Sequence, residues 1–153
     1  MHIQRFERSL PMMLYRALGA VMPRFRRIFN EFGLTEQQWR VLRVLWEHNG
    51  IAFGELADRT LLAAPSLVGI VDRLAKQGLV ERRRSTSDRR NVSVHTTDAA
   101  RRLERQVQPK VEAAYRELKR SIGEAEWEQL IASLDRIASI VDEAPANPAA
   151  VNL

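Results

Sequence analysis

The residues best equipped for chemistry in this sequence are cations. Arg82, Arg83, Arg84, Arg89 and Arg90 crowd into one short polar stretch in which Asp88 is the sole acid. Guanidinium groups packed this closely repel one another, so as a fold element the run is unfavourable. Against a polyanion it is favourable, because each cation that meets a phosphate displaces a condensed counterion. Arginines also suit a narrow minor groove. Asp88, two residues before Arg90, is placed to form an ion pair that aims the guanidinium. A second group lies upstream. If Leu67, Val71 and Leu74 are buried on one side of a helix, the other side shows Pro65, Ser66, Val68, Gly69, Asp72, Arg73 and Lys76. That face is small near its N-terminus and basic further on, the profile of a helix that enters a major groove. Ser66 can hydrogen-bond a phosphate or a base edge, Val68 can touch a thymine methyl, and Arg73 can reach either a base or a phosphate. Gly69 costs a helix interior about 1 kcal/mol relative to alanine. Close approach to a duplex is one reason to tolerate it; packing against another helix is the alternative. For the arginine run, the alternative is a solvated loop.

Other chemistry is missing from the sequence. The 153 residues include no cysteine, which removes disulfides, thiolate metal sites and thiol nucleophiles together. The three histidines, His2, His48 and His95, are scattered, so a zinc site is not expected. There is no Gly-rich phosphate loop and no recognisable pair of carboxylates, so the expectation is a protein that is not an enzyme and takes no cofactor. The balance of 24 Lys+Arg against 19 Asp+Glu gives a formal charge of +5, which allows an acidic partner without proving one. At 45% hydrophobic residues the chain can pack a core. No apolar run reaches the roughly 18 residues of a membrane span. Met1–Ser9 is charged rather than signal-like. These features predict a cytoplasmic, mostly helical protein with no membrane partner.

The elements that must hold the cations can be read from periodicity. Leu10, Leu14, Ala17, Val21, Phe25, Ile28 and Phe32 form one face of a long helix, which Gly33 stops. Thr35 and Gln38 have capping-box spacing, with Leu34 and Trp39 at staple positions. Val41, Leu42, Leu45 and Trp46 continue that helix, and Asn49-Gly50 ends it. Phe53–Thr60 is a short segment with Leu56 and Ala57 turned inward, joined by Leu61-Leu62-Ala63 to the helix that begins near Pro65 and stops at Gly78. Leu79–Arg82 and Asn91–His95 have strand composition and predict a two-stranded hairpin with a charged tip. Thr97 caps a further helix striped by Leu103, Val107, Val111, Ala114, Leu118 and Ile122, with a kink expected at Pro109. After Gly123, Trp127, Leu130, Ile131, Leu134, Ile137, Ala138 and Val141 stripe the last helix.

Two short helices, a tight turn and a basic hairpin describe a winged helix-turn-helix. The predicted fold is mainly α with a small β-hairpin wing, the lobe being carried on a helical dimerisation frame. The expected divisions are an N-terminal dimerisation helix at 1–33, the lobe at 34–97, C-terminal dimerisation helices at 98–143 and a flexible tail at 144–153. Leu56-Ala57, the Leu67–Leu74 helix, Gly78-Leu79-Val80-Glu81-Arg82, Asp88-Arg89-Arg90 and the Thr97 helix start together resemble the MarR family of bacterial transcriptional regulators. The resemblance spans about residues 8–142. Ser9-Leu10-Pro11-Met12 with Arg16, and the run Leu34–Leu42, resemble further the branch that controls homoprotocatechuate (hydroxyphenylacetate) degradation operons. Ala100 departs from the family's usual glycine, which should only strengthen its helix.

This resemblance implies a homodimer that binds a palindromic double-stranded operator through Pro65, Ser66, Val68, Gly69, Arg73, Lys76, Arg84, Asp88, Arg89 and Arg90. The apolar surface of the first helix, with Phe25, Phe29 and Phe32, independently exceeds what a small lobe can cover; a closed monomeric bundle is the alternative. It implies too a repressor of aromatic catabolism released by a small aromatic acid. Met12, Arg16, Gln38, Trp39 and Arg40 are the candidate ligand-binding residues, since a carboxylate suits an arginine fork and an aromatic ring suits Trp and Met walls. The alternatives are that Arg16 snorkels from the core or pairs with an acid, and that Trp39 serves as the staple alone. A regulator without an effector, and a winged-helix module that binds protein, remain open.

Overall fold

The computed structural model describes residues 5–84 and 92–143, with side chains through residue 139 in the last helix. A 3₁₀ turn at Phe6–Arg8 precedes α1 (Leu10–Glu31), α2 (Glu36–Glu47), β1 (Ile51–Ala52), α3 (Phe53–Thr60) and α4 (Ala64–Lys76). Then come β2 (Val80–Arg84), β3 (Val92–Thr96), α5 (Asp98–Ile122) and α6 (Glu124–Glu143). The chain divides into two compact units, Met1–Glu112 and Ala113–Leu153, the division falling inside α5.

In the first unit, α2 starts where its cap dictates. The Gln38 amide N–H donates to Thr35 Oγ1 at 3.2 Å, and the Thr35 amide donates back to Gln38 Oε1 at 2.9 Å. Two of the helix's orphan donors are thereby satisfied. The apolar stripe that follows is the core: Val41, Leu42 and Leu45 are fully buried, as are Leu56 of α3, Leu67, Val71 and Leu74 of α4 and Val94 of β3, the elements on which α2 packs. Each such side chain contributes roughly 1.5–3 kcal/mol by leaving water. Between α3 and α4 the chain turns at Leu61, whose φ of +53° puts a branched residue in the left-handed region.

The expected hairpin forms from β2 and β3, and β1 joins it as a further strand. The sheet has three strands in the order β1-β3-β2, all antiparallel. Asn49 and Gly50 do more than end α2. Asn49 Oδ1 accepts from the Thr96 amide at 2.8 Å and from Thr96 Oγ1 at 3.1 Å, and the Gly50 amide donates to the Val94 carbonyl at 3.1 Å. These bonds align Ile51 with Val94, and so the third strand forms. At the other end, Gly78 takes φ +70° and Leu79 N–H donates to the Leu74 carbonyl, a Schellman-type stop. Thr97 joins the two ends of the wing. Its hydroxyl donates to the Gly78 carbonyl at 2.6 Å and accepts from the Ala100 amide at 3.3 Å, capping α5. Ala100 is fully buried there.

Both long helices contain a proline. α1 runs on through Pro23 and α5 through Pro109, so the residue expected to mark a kink lies inside a single helix. In the second unit, Gly123 at φ +103° turns the chain between α5 and α6. Tyr115 meets Trp127 edge-on at 6.5 Å. Lys119 bonds Glu124 at 2.7 Å and Glu128 at 3.2 Å. The hydrogen bonds to Glu124 and then Glu128 hold its ammonium above the usual lysine value.

Candidate nucleic-acid interface

The inward stripe of α4 fixes its outward one. With Leu67, Ile70, Val71 and Leu74 buried, Pro65, Ser66, Val68, Arg73 and Lys76 are exposed, and Gly69 and Asp72 are half-buried beside them. Pro65 stands in the first turn and Ala63 offers no side-chain cap, so the helix N-terminus presents uncapped amides. A Cβ placed on Gly69 would meet only the Arg73 Nη1 atom, at 3.5 Å. Among the described residues, then, nothing packs against Gly69 closely enough to require its small size.

Strand alternation sorts the arginines of β2. Val80 is buried, and Arg82 and Arg84 share its side of the strand while Glu81 and Arg83 take the other. Arg83 pairs with Glu81. Arg82 Nη2 lies 2.7 Å from Asp72 Oδ1, donates to the Val68 carbonyl at 3.3 Å, and its guanidinium stands 5.7 Å over the Phe53 ring. Arg84, Arg73 and Lys76 pair with no acid among the described residues. Arg82 and Arg84 line, with Phe53, Gly54 and Val68, an open cleft of about 500 Å³ where the wing meets α3 and α4. Asp88, Arg89 and Arg90 lie outside the described residues.

The candidate ligand residues divide into two groups. Met12 is half-buried and Arg16 exposed on α1. Those on α2 already have structural partners. Gln38 is buried, closes the capping box and donates to Gln77 Oε1 at 3.3 Å. Trp39 stacks on Phe29 at 4.7 Å and meets Trp46 edge-on at 5.3 Å. Arg40 pairs with Glu36 at 3.3 Å and donates to the Thr60 carbonyl at 3.3 Å. The sequence reading did not anticipate Phe53 or the Arg82–Asp72 contact, although the period-2 pattern of Val80–Arg84 carries the signal for the second. Nor did it foresee the buried Trp46 indole N–H, which finds no acceptor among the described residues.

A two-helix turn unit carrying a three-stranded basic wing is a winged helix-turn-helix lobe. Residues 34–92 match the MarR family. The chain is 34% identical over 132 residues to the homoprotocatechuate degradative operon repressor of Escherichia coli, covering 86% of this chain and 89% of that one. It therefore belongs to the MarR family. Among solved structures it is similar to NadR in complex with 4-hydroxyphenylacetate, with TM-score 0.76, 31% identity and coverage of 94% and 100% of the two chains. It is similar also to the repressor CouR bound to a 23-mer DNA duplex, with TM-score 0.81, 28% identity and coverage of 90% and 99%.

Proposed function

We propose that this chain is a dimeric, sequence-specific DNA-binding transcriptional regulator of the cytoplasm, a repressor of an aromatic-catabolic operon that a small phenolic or aromatic acid releases. The observation that carries the DNA half is the surface formed by α4 and β2. Among the described residues it joins three cations without acidic partners, Arg73, Lys76 and Arg84, to a glycine whose Cβ position meets only Arg73 Nη1. Pro65, Ser66, Val68 and Gly69 enter the major groove, and Arg84 with Asp88, Arg89 and Arg90 serves the phosphates and minor groove. Residues 34–97 form the DNA-binding lobe. Residues 1–33 and 98–143 make the dimer. Supporting this, Leu10, Leu14 and Leu18 are exposed and with Pro11 and Tyr15 shape an apolar groove of about 360 Å³ on α1. Leu130, Ile131 and Leu134 are exposed on α6. Apolar patches of this kind suit a protein partner, and a second copy supplies the symmetry of a palindrome. Gel shifts with a duplex carrying the chain's own upstream promoter test the reading: binding should weaken steeply with salt, and absence of binding at low ionic strength would end it.

Release by an effector rests on the similarity to NadR in complex with 4-hydroxyphenylacetate and on Arg16, the candidate cation that keeps no acidic partner among the described residues. Trp39 and Met12 supply the apolar walls. A specific observation favours a second reading, regulation without an effector: Gln38 and Arg40 are already engaged within the fold. Thermal shift with 4-hydroxyphenylacetate separates them. A raised melting temperature, lost in Arg16→Ala with operator binding retained, supports the effector; no shift with this or other aromatic acids supports its absence.

A further inference from the structure

We infer that Arg82 is not a DNA contact but a positioning residue that sets the wing's angle on α4 by way of Asp72. This inference rests on the DNA-binding reading of the same surface. One guanidinium ties three elements together: Nη2 reaches Asp72 Oδ1 and the Val68 carbonyl on α4, and its plane lies over Phe53 at the start of α3. A guanidinium can spread its cation over a ring while one of its nitrogens donates at its edge, a geometry that a compact ammonium on a flexible stem reproduces less well. Two residues along the same face, Arg84 has no such partner among the described residues and remains available to a phosphate. With side chains 36% and 48% exposed, the Arg82–Asp72 pair adds little to global stability. Its effect is on aim. Without the pair, Arg84 can still reach its phosphate, but binding must first fix the angle of β2, which weakens affinity without the loss of a phosphate contact.

Asp72 makes the inference testable by sign. A carboxylate on a DNA-facing helix should repel the duplex, so if it does nothing else Asp72→Asn should tighten binding. As an anchor for Arg82, it should do the reverse. We expect Asp72→Asn and Arg82→Lys each to weaken promoter affinity about tenfold, with the slope of log K against log salt unchanged, because no phosphate contact of Arg82 is lost. The double variant should be no weaker than either single one. In the free protein, both should speed hydrogen exchange of the β2 amides, a readout that needs no DNA. Tighter or unchanged binding by Asp72→Asn, full affinity in Arg82→Lys, or a slope lowered by about one in Arg82→Gln would each overturn the inference. If the wild-type chain itself ignores the promoter, the DNA reading fails and the exchange rates alone decide the bracket: unchanged rates reject it.

Discussion

The lobe and the first helix treat leucine in opposite ways. Leu42, Leu56, Leu67 and Leu74 are fully buried, while Leu10 and Leu18 on α1 are 51% and 56% exposed. Individual arginines differ as well. On α1, Arg26 pairs with Glu36 at 2.9 Å, whereas Arg73 and Arg84 on the lobe meet no acid among the described residues. A surface that exposes leucine is suited to apolar protein, and one that exposes unpaired cations over small residues is suited to a polyanion. The two regions of one short chain are thus suited to different partners, and the contrast can be broken one residue at a time.

The largest effect should come from the same substitution made on both sides. Leu67→Ala removes a fully buried side chain and should destabilise the lobe by about 2–5 kcal/mol, read from denaturant unfolding. Leu14→Ala, on an exposed leucine, should leave unfolding of the lobe unchanged. Its cost should fall on association, as a shift toward monomer in sedimentation at low concentration. Equal losses of stability with no change in assembly would erase the contrast.

Next in size is Arg73→Ala. An unpaired, exposed cation leaves no orphaned acid behind, so the fold should hold and affinity for duplex should fall. If Arg73 meets a phosphate, the loss is uniform across sequences and the salt slope drops by about one. If it meets a base, the loss is about 1–3 kcal/mol and one operator position loses its preference.

How far this contrast could be read from sequence depends on how local its cause is. The start of α2 is set by Thr35 and Gln38 three residues apart, and the inner stripe of α4 by Leu67, Ile70, Val71 and Leu74. Such short-range patterns are legible. β1 is not: two residues have no periodicity, and Ile51–Ala52 becomes a strand because Asn49 bonds Thr96 forty-seven positions away. The same holds for the arginines. Composition reveals how many there are, but only the fold assigns Arg82 to Asp72, Arg83 to Glu81 and leaves Arg84 over. It is the fold, too, that takes Gln38 and Arg40 into structural bonds, a use that residue type alone does not separate from ligand binding.

A subtler test lies at Gly69, where stability and function should move in opposite directions. Alanine is the better helix former by about 1 kcal/mol. Among the described residues, the added Cβ would sit in ordinary contact with Arg73 Nη1 alone. Gly69→Ala should therefore raise the unfolding free energy by up to about 1 kcal/mol. If the helix backbone lies close to the duplex, the same methyl group should weaken operator binding. A variant that is more stable and binds as well would mean that the glycine keeps no space for DNA. A variant that is less stable would mean that something outside this chain's described contacts already occupies that space.

The smallest effect belongs to the α5–α6 turn. Glu124 and Glu128 raise the Lys119 pKa, so the folded form holds the proton more tightly than the unfolded one. The contribution is present in full at neutral pH and fades as pH rises through the lysine range. Because the pair is at the surface it should be slight and sensitive to salt. Glu124→Gln should flatten the alkaline limb of the melting temperature against pH while leaving DNA affinity untouched. A change in affinity would mean that the turn reports to the lobe, and the separation of the two regions would be less clean than their side chains suggest.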